Sequence, residues 1–375
     1  MDKFIPVCEP MLAGNELKYV ADAVSTGWIS SSGTYVNKFE EEFAKYCDCK
    51  YAVSVCNGTI ALHVALLALG IKKGDEVILP SFTMIASAFA VCYTGATPVF
   101  VDADRNTFNI DVTKIEEKIT SKTKAIMPVH IFGKMCDMDA ITSIAQKHNL
   151  FIIEDAAEAH GAIFKGKKAG SFSNIAAFSF FANKNITTGE GGMIVTNNEM
   201  LYKQARYFKN VCFPVNGPRN YSHDDIGFNY RMSNVVAAIG LAQVEKADDY
   251  RAMRIKNNEL YRKYLSDVPG IIWQSLPDAN CIDVCWMNAI VINPEKFGHT
   301  RDEIITFLKG CNIDTRLLFK GMHYQKSLFD YGCDCSGKYP VTDWLTENGF
   351  YLPSASSLNE ETIKDICETI KLYAK

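Results

Sequence analysis

Short apolar runs alternate with helical patterns between residues 51 and 196, and this alternation limits the possible folds more than any other feature. The seven runs lie at 51–55, 76–80, 97–102, 125–131, 151–155, 176–181 and 191–196. Helical patterns separate the early runs, at 59–70, 111–119 and 137–149. Strands that alternate with helices are typical of a mostly parallel sheet with helices on both faces. We therefore predict a three-layer α/β/α arrangement around a seven-stranded sheet.

The connection between the last two runs is too short for a parallel crossover. Residues 182–190 join them, whereas a crossover between parallel strands needs about a dozen residues or more. The two strands are therefore predicted to be antiparallel, or not to be direct neighbours. Either arrangement places Lys184 at a strand end, where sheets of this class bind ligands.

The pattern turns helical after residue 230. Residues 233–265 are predicted to form one or two long helices, followed by a strand at 288–294 and helices at 300–310 and 360–374. A chain of 375 residues is longer than one ordinary domain. We expect a large domain over residues 1–245 and a smaller C-terminal α/β domain over residues 246–375.

Composition and charge argue against several classes of partner. The net charge of -4, without a basic block, disfavours nucleic acid. The uncharged stretch 80–101 is long enough to span a bilayer, but it contains Gly95 and Pro98 and is better explained by a buried helix, a glycine cap and a buried strand.

The thirteen cysteines lack C-x-x-C spacing, which predicts free thiols and no metal site. Without a leader-like start, we expect a cytoplasmic protein with no membrane partner.

Two motifs offer polar groups at predicted strand ends. The run FIIED ends in Glu154 and Asp155, and an acid at the carboxyl end of such a strand points into the ligand crevice. In CNGTIAL, Gly58 and Thr59 open a helix whose free N–H groups can bind an anion. The alternatives are a loop carboxylate bonded to backbone amides and an ordinary capped helix.

The motif NKNITTGEGG carries a lone lysine, Lys184. A buried crevice would lower the pKa of this lysine and favour the neutral amine, which can form a Schiff base with an aldehyde. The alternative is a solvated lysine in a surface loop. An acid, an anion site and such a lysine are together what pyridoxal phosphate requires. No G-x-G-x-x-G opens the first strand–helix turn, which argues against a nicotinamide-dependent oxidoreductase.

Four segments carry a resemblance to a known family: TGWISSSGTYVNKFEEEFA, EDAAEAHGA, FSFFANKNITTGEGGM and GFNYRMSNVVAAIGLAQ. They are similar to the DegT/DnrJ-type sugar aminotransferases, which have the aspartate aminotransferase-like fold, and the resemblance covers essentially the whole chain. It implies a pyridoxal phosphate cofactor and a homodimer with shared active sites. It also implies transamination from L-glutamate to the keto group of a nucleotide-linked 4-keto-6-deoxyhexose.

The resemblance also implies roles for individual residues. Lys184 would carry the cofactor covalently and Asp155 would bind its ring nitrogen, and these two are the expected catalytic residues. The expected cofactor-binding residues are Gly58, Thr59, Met84, Asp155, Glu158, Ser179, Lys184 and, from the second subunit, Asn229. The expected substrate contacts are Ser31, His160, Arg219, Arg316 and His323.

Two positions depart from the family pattern and bear on the substrate. Met84 stands where family members commonly place an aromatic ring over the cofactor, and Ser222 stands where close relatives have tryptophan. A related subgroup replaces the lysine with histidine and dehydrates its substrate, so Lys184 favours transamination. Two alternatives stay open: another keto acceptor, either a different nucleotide ketosugar or a small phosphorylated ketone, and a non-catalytic regulator that binds pyridoxal phosphate.

Overall fold

The computed structural model describes residues 4–215 and 221–374. Its strands are β1 (Tyr51–Val55), β2 (Glu76–Pro80), β3 (Thr97–Val101), β4 (Thr123–Ile126), β5 (Phe151–Asp155), β6 (Ile163–Phe164), β7 (Lys167–Lys168), β8 (Ile175–Ser179), β9 (Gly192–Thr196), β10 (Ile271–Trp273), β11 (Asn288–Ile292), β12 (Arg316–Leu317) and β13 (Gly349–Leu352). Its α-helices are α1 (Glu16–Ser25), α2 (Thr34–Tyr46), α3 (Gly58–Ala68), α4 (Ile85–Tyr93), α5 (Met138–His148), α6 (Glu199–Lys209), α7 (Asn234–Val244), α8 (Ala247–Tyr264), α9 (Pro294–Phe297), α10 (Arg301–Gly310), α11 (Lys326–Tyr331), α12 (Pro340–Asn348) and α13 (Glu360–Tyr373).

The central sheet has seven strands in the order β1-β9-β8-β5-β4-β2-β3. The strands from β8 to β3 pair in parallel, whereas β9 is antiparallel to both β8 and β1. The predicted mostly parallel sheet is therefore confirmed. Of the two arrangements that the short link between β8 and β9 allowed, the structure has the antiparallel pair.

Alternating side chains on these strands pack against helices on opposite faces of the sheet. Ile152 and Ala176 belong to a buried cluster that includes side chains of α2, α5 and α7. The next residues along the same strands, Ile153 and Ala177, belong to a second cluster with α3, α4 and α6. Successive residues of a strand point to opposite faces, so two apolar faces produce the three predicted layers.

A smaller antiparallel sheet, in the order β10-β11-β13-β12, lies in the C-terminal part of the chain. Ile290 and Ile292 of β11 pack against Tyr261 of α8, Leu308 of α10 and Ile366 of α13 in a buried cluster of their own. The predicted 233–265 segment is two helices, α7 and α8. We propose that the domain boundary lies between these two helices, near residue 245.

The segment 111–119 is not the helix that its pattern predicts. It forms two single 3₁₀ turns, Val112–Lys114 and Glu116–Lys118. Two physical reasons account for this: Val112, Thr113 and Ile115 are β-branched, and only Ile115 in the segment is buried, so little apolar surface is available to stabilise a longer helix.

The uncharged stretch 80–101 has the predicted organisation. Helix α4 is followed by Gly95, whose φ of +81° is readily adopted by glycine, and then by β3. None of the helices within residues 4–215 and 221–374 combines the length and the apolar character needed to cross a membrane.

The topology gathers several segments at one edge of the large sheet. Asp155 ends β5 and Ser179 ends the parallel neighbour β8, so both reach the same edge. Helix α3 begins there at Gly58, and the link between β8 and β9, which carries Lys184, turns there as well.

Candidate active site

A cavity of about 410 Å³ opens at this edge of the sheet. It is lined by seven of the eight predicted cofactor-binding residues, namely Gly58, Thr59, Met84, Asp155, Glu158, Ser179 and Lys184. Side chains from the C-terminal region complete the wall, among them Trp286, Phe319 and Tyr351. The fold thus brings together motifs that are more than a hundred residues apart in the chain.

Lys184 is a largely enclosed lysine, with 10% of its side chain exposed. Its Nζ lies 3.7 Å from Glu158 Oε1 and 3.6 Å from the centroid of the Trp286 indole ring. Burial lowers the pKa of Lys184, against the opposing influence of the Glu158 and Asp155 carboxylates. Burial also raises the pKa of Glu158 to about 7. Both partners are therefore shifted towards their neutral forms, as a nucleophilic amine requires.

Asp155 is buried at the end of β5 and held by two hydrogen bonds. Ser87 Oγ donates to Oδ2 at 2.7 Å, and the backbone N–H of Ala157 donates to Oδ1 at 3.2 Å. Burial raises the pKa of this carboxyl group. A nearby positive charge would favour the carboxylate form, which suits a partner such as a protonated ring nitrogen.

The start of α3 forms a cradle against β8. A Cβ atom on Gly58 would lie 2.6 Å from Ser179 Cβ, so only glycine permits this approach. The Asn57 side chain and carbonyl accept hydrogen bonds from the amides of Ile60 and Ala61. The amides of Gly58 and Thr59 come before those of Ile60 and Ala61 in the first turn. They can donate hydrogen bonds to an anion bound at the positive end of the helix. This cradle fits the phosphate of the implied cofactor.

Glu154, the other acid of FIIED, lies on the opposite face of β5. Its Oε2 is 3.0 Å from His130 Nε2 and accepts from the Gly170 amide at 2.9 Å. Glu154 is fully buried and lies outside the cavity, where its hydrogen bonds hold the fold together.

His160 lies in an aromatic cluster, not in the wall of the cavity. Its ring is 5.5 Å from the ring of Phe178, 5.7 Å from that of Phe180 and 6.3 Å from that of Phe43. Burial lowers the pKa of His160 to about 3, so the ring is neutral. The charge of Lys184 also lowers the pKa of His160, so the residue lies near the lysine without lining the cavity, and its contact with substrate stays a prediction.

Ser31 and Asn229 also lie outside this cavity. Ser31 lines a different cavity of about 240 Å³, together with Lys209 and Arg231. Asn229 is exposed and pairs with Asn210 through an isolated bridge. Its exposure leaves it accessible to a second chain, as the resemblance implies.

Two further predicted substrate contacts, Arg316 and His323, do not line the cavity either. Arg316 lies on β12, largely exposed, and forms an ion pair with Asp314. His323 is bonded on both ring nitrogens, to Ser81 Oγ and to Asp343 Oδ1, each at 2.8 Å. Arg219 lies outside the described residues.

Sequence patterns alone did not identify several residues of the site. Ser87 contacts Asp155, and Trp286 contacts Lys184. Neither stands in a recognisable motif, and Trp286 is 102 positions from the lysine. Asn183 had a signal, its adjacency to Lys184. It lines the cavity, and its Oδ1 has no hydrogen-bond partner within the described residues.

Comparison with known proteins agrees with this site. The profile of the DegT/DnrJ/EryC1/StrS aminotransferase family matches residues 10–371. The GDP-perosamine synthase of Escherichia coli O157:H7 is 45% identical over 371 residues, covering 99% of each chain. The GDP-perosamine synthase of Caulobacter vibrioides is 45% identical over 359 residues, covering 96% of this chain and 95% of that protein.

A solved structure extends the similarity to three dimensions. S. venezuelae DesV, in complex with a ketimine intermediate, superposes with a TM-score of 0.89 at 32% identity, covering 96% of this chain and 94% of that one. Because the profile and these relatives span nearly the whole chain, the protein belongs to the DegT/DnrJ/EryC1/StrS aminotransferase family and is a pyridoxal-phosphate-dependent aminotransferase.

Proposed function

We propose that the protein transfers an amino group from L-glutamate to C4 of a GDP-linked 4-keto-6-deoxyhexose. The observation that carries this proposal is the 45% identity, over nearly the full length of both chains, to two proteins named GDP-perosamine synthase. The amino sugar would serve bacterial surface-polysaccharide biosynthesis, such as that of O-antigen or capsule, in the cytoplasm.

The lining of the cavity supports specific roles in holding the cofactor. Gly58, Thr59 and Ser179 would hold the phosphate, Asp155 the ring nitrogen and Lys184 the reactive carbon. When bound, pyridoxal phosphate supplies an aldehyde that takes up the amino group and a ring that accepts the electron pair left by a departing proton. Ser87 directs its hydroxyl to Asp155 Oδ2 and so fixes the orientation of that carboxylate.

Lys184 Nζ is the group we expect to move the proton at the substrate carbon. Burial favours its neutral form, which can accept a proton and then return it. Glu158, 3.7 Å away, would stabilise the charged amine between these two events. The aromatic wall formed by Trp286, Phe319 and Tyr351 would exclude water from this exchange.

A homodimer with shared active sites is also part of the proposal. Asn229 is exposed and absent from the cavity of its own chain. Met84 and Phe181, which do line that cavity, are about half exposed, at 49% and 47%. A second copy of the chain would cover such apolar side chains and present its Asn229 to the phosphate site.

The cofactor part of the proposal is tested by absorption spectroscopy. The purified protein should show a visible band from lysine-linked pyridoxal phosphate, and Lys184→Ala should abolish it. Lys45→Ala, a change at an exposed lysine, should leave the band unchanged. A wild-type protein that stays colourless after incubation with pyridoxal phosphate would contradict the proposal.

The acceptor is tested separately, by release of 2-oxoglutarate from L-glutamate. The panel should contain GDP-, UDP- and dTDP-linked ketosugars and triose phosphates, and we expect turnover with the GDP-linked 4-keto sugar. Met84 and Ser222 are the residues that favour a different acceptor, since both depart from the family pattern. Preferential turnover of another compound would establish that alternative. Cofactor binding without turnover of any acceptor would support a regulator.

A further inference from the structure

Trp286 contacts the Lys184 segment at two points. The centroid of its ring lies 3.6 Å from Lys184 Nζ, within the range of a cation–π contact. Its Nε1–H donates a hydrogen bond of 2.8 Å to the carbonyl of Asn183, the residue before the lysine. One side chain therefore contacts both the amine and the backbone that carries it.

Trp286 is itself held rigidly on the C-terminal side of the cavity. It is buried, with 3% of its surface exposed. Its backbone N–H donates to the carbonyl of Phe132 at 2.9 Å, and its carbonyl accepts from Arg254 Nη1 at 2.8 Å. Arg254 is also buried and donates through Nε to Ser356 Oγ. A side chain anchored in this way can impose a position on a more flexible neighbour.

The other close partner of the amine, Glu158, is held by the same framework. The Phe132 ring stacks on the Trp286 ring, with centroids 6.4 Å apart and planes at 22°. The Phe132 amide donates to Glu158 Oε2 at 2.7 Å, and Glu158 Oε1 faces Lys184. Other ionisable groups close enough to interact with the amine are Asp155, Cys8 and His160. Phe132 thus contacts both of the groups that lie within 4 Å of Lys184 Nζ.

We propose that Trp286 is the positioning residue for Lys184: its N–H anchors the Asn183 carbonyl, and its ring face holds the free amine against Glu158. This inference rests on the proposed role of Lys184 as the group that moves the proton. An amine released from the cofactor must stay within reach of the substrate carbon. A long, flexible lysine would otherwise sample many rotamers, and a misplacement of about 1 Å can cost roughly 100-fold in rate.

Two variants separate the two contacts of Trp286. Trp286→Phe keeps an aromatic face but loses the N–H donor, and Trp286→Leu loses both. The primary measurement is the pKa of Lys184 in the cofactor-free protein, from the pH dependence of its acetylation read by mass spectrometry. The Trp344 ring lies 4.0 Å from the guanidinium of Arg105, outside the cavity, so Trp344→Leu is a matched control.

We expect Trp286→Leu to lower the pKa of Lys184 by about one unit, since leucine keeps the wall apolar whereas the ring face that stabilised the ammonium form is lost. Trp286→Phe should lower it by less than half as much. In the holoenzyme, Trp286→Phe should reduce kcat by roughly 10-fold with KM within about a factor of two, because the lysine backbone is less well anchored. The Trp344→Leu control should change none of these quantities.

The proposal is overturned if the folded Trp286→Leu protein keeps the wild-type pKa of Lys184, or if the two variants shift it equally. If Trp286→Leu does not fold, Trp286→Phe decides alone. For Trp286→Phe, a reduced kcat together with a change of less than about half a unit in the pKa of Lys184 supports the proposal. Any other combination contradicts it. The labelling uses protein without cofactor, so its outcome is independent of the acceptor and of the absorption test of Lys184→Ala.

Discussion

Glu154 and Asp155 are adjacent on β5 and point to opposite faces of the sheet. Glu154 is bonded inside the fold to His130 and the Gly170 amide, whereas Asp155 lines the cavity and is held by Ser87. The strand period of two residues is sufficient to give two neighbouring acids different environments. At the residue scale, the chemistry of the site depends on such differences in burial and partners, which shift the pKa of each group.

Glu158 makes the stability of the cofactor-free protein depend on pH. Its pKa is raised from 4.5 to about 7 by burial, so the folded state retains a proton that the unfolded chain releases. The stabilisation from this group is fully present below about pH 4.5 and is lost as the pH rises through 7.

Replacing Glu158 by glutamine should remove this dependence. Between pH 4.5 and 7.5, wild type should lose up to about 3 kcal/mol more of its free energy of unfolding than Glu158→Gln does. Urea denaturation at both pH values measures the difference. Glu295→Gln, at an exposed carboxylate, should keep the wild-type dependence, and an unaltered dependence in Glu158→Gln would contradict the prediction.

At the element scale, the close packing of α3 on β8 shapes the cavity. Gly58 starts the helix beside Ser179, and the first-turn amides lie over the ends of the strands. Strand β9 pairs with β8 in the antiparallel direction, so the link between them, which carries Lys184, turns at the edge of the sheet where β8 ends. The phosphate cradle and the lysine loop therefore depend on the same strand.

Adding one methyl group at Gly58 should disturb this packing. In Gly58→Ala, the new Cβ would lie 2.6 Å from Ser179 Cβ, which forces α3 away from β8. We expect a loss of about 1–3 kcal/mol in the free energy of unfolding, typical of overpacking, and weaker binding of pyridoxal phosphate.

A second glycine provides the control. Gly310, at the end of α10, has nothing within 4 Å of an added Cβ, so Gly310→Ala should be neutral or stabilising by up to about 1 kcal/mol. Chemical denaturation and cofactor titration measure both variants. Equal stability and cofactor affinity of the two variants would exclude a close-packing role for Gly58.

At the scale of the whole molecule, the predicted cofactor-binding residues fall into two groups. Seven line one cavity, whereas Asn229 is exposed elsewhere on the chain. Shared active sites would explain this separation, because a second subunit would then complete each cavity. The proposed dimer predicts that Lys184 and Asn229 of one site come from different chains.

Hybrid dimers provide a direct test of that arrangement. Lys184→Ala and Asn229→Ala proteins should each be nearly inactive at limiting cofactor. After unfolding and refolding as an equal mixture, half of the dimers are hybrids, and each hybrid should contain one intact site. Activity should then recover to roughly a quarter of wild type. If Asn229 served its own chain, no site would be intact and the mixture would stay inactive.

Local sequence patterns predicted the seven strands of the central sheet, several of the helices and the three motifs that meet in the cavity, and they limited the β8–β9 pair to two arrangements. Periodicity and connection length are sufficient for this, because each reflects backbone geometry over a few residues. The same patterns were wrong for 111–119, where little apolar surface is buried. The resemblance, not the periodicity, supplied the roles of the individual residues.

Only the tertiary structure decided which side chains share an environment. It placed His160 among aromatic rings instead of in the cavity, separated Glu154 from Asp155, and brought Trp286 to Lys184 across 102 positions of sequence. These outcomes depend on how distant elements pack and which groups they desolvate. Burial and long-range contacts are properties of the folded chain, and they set the pKa of Lys184 and the partners that hold it.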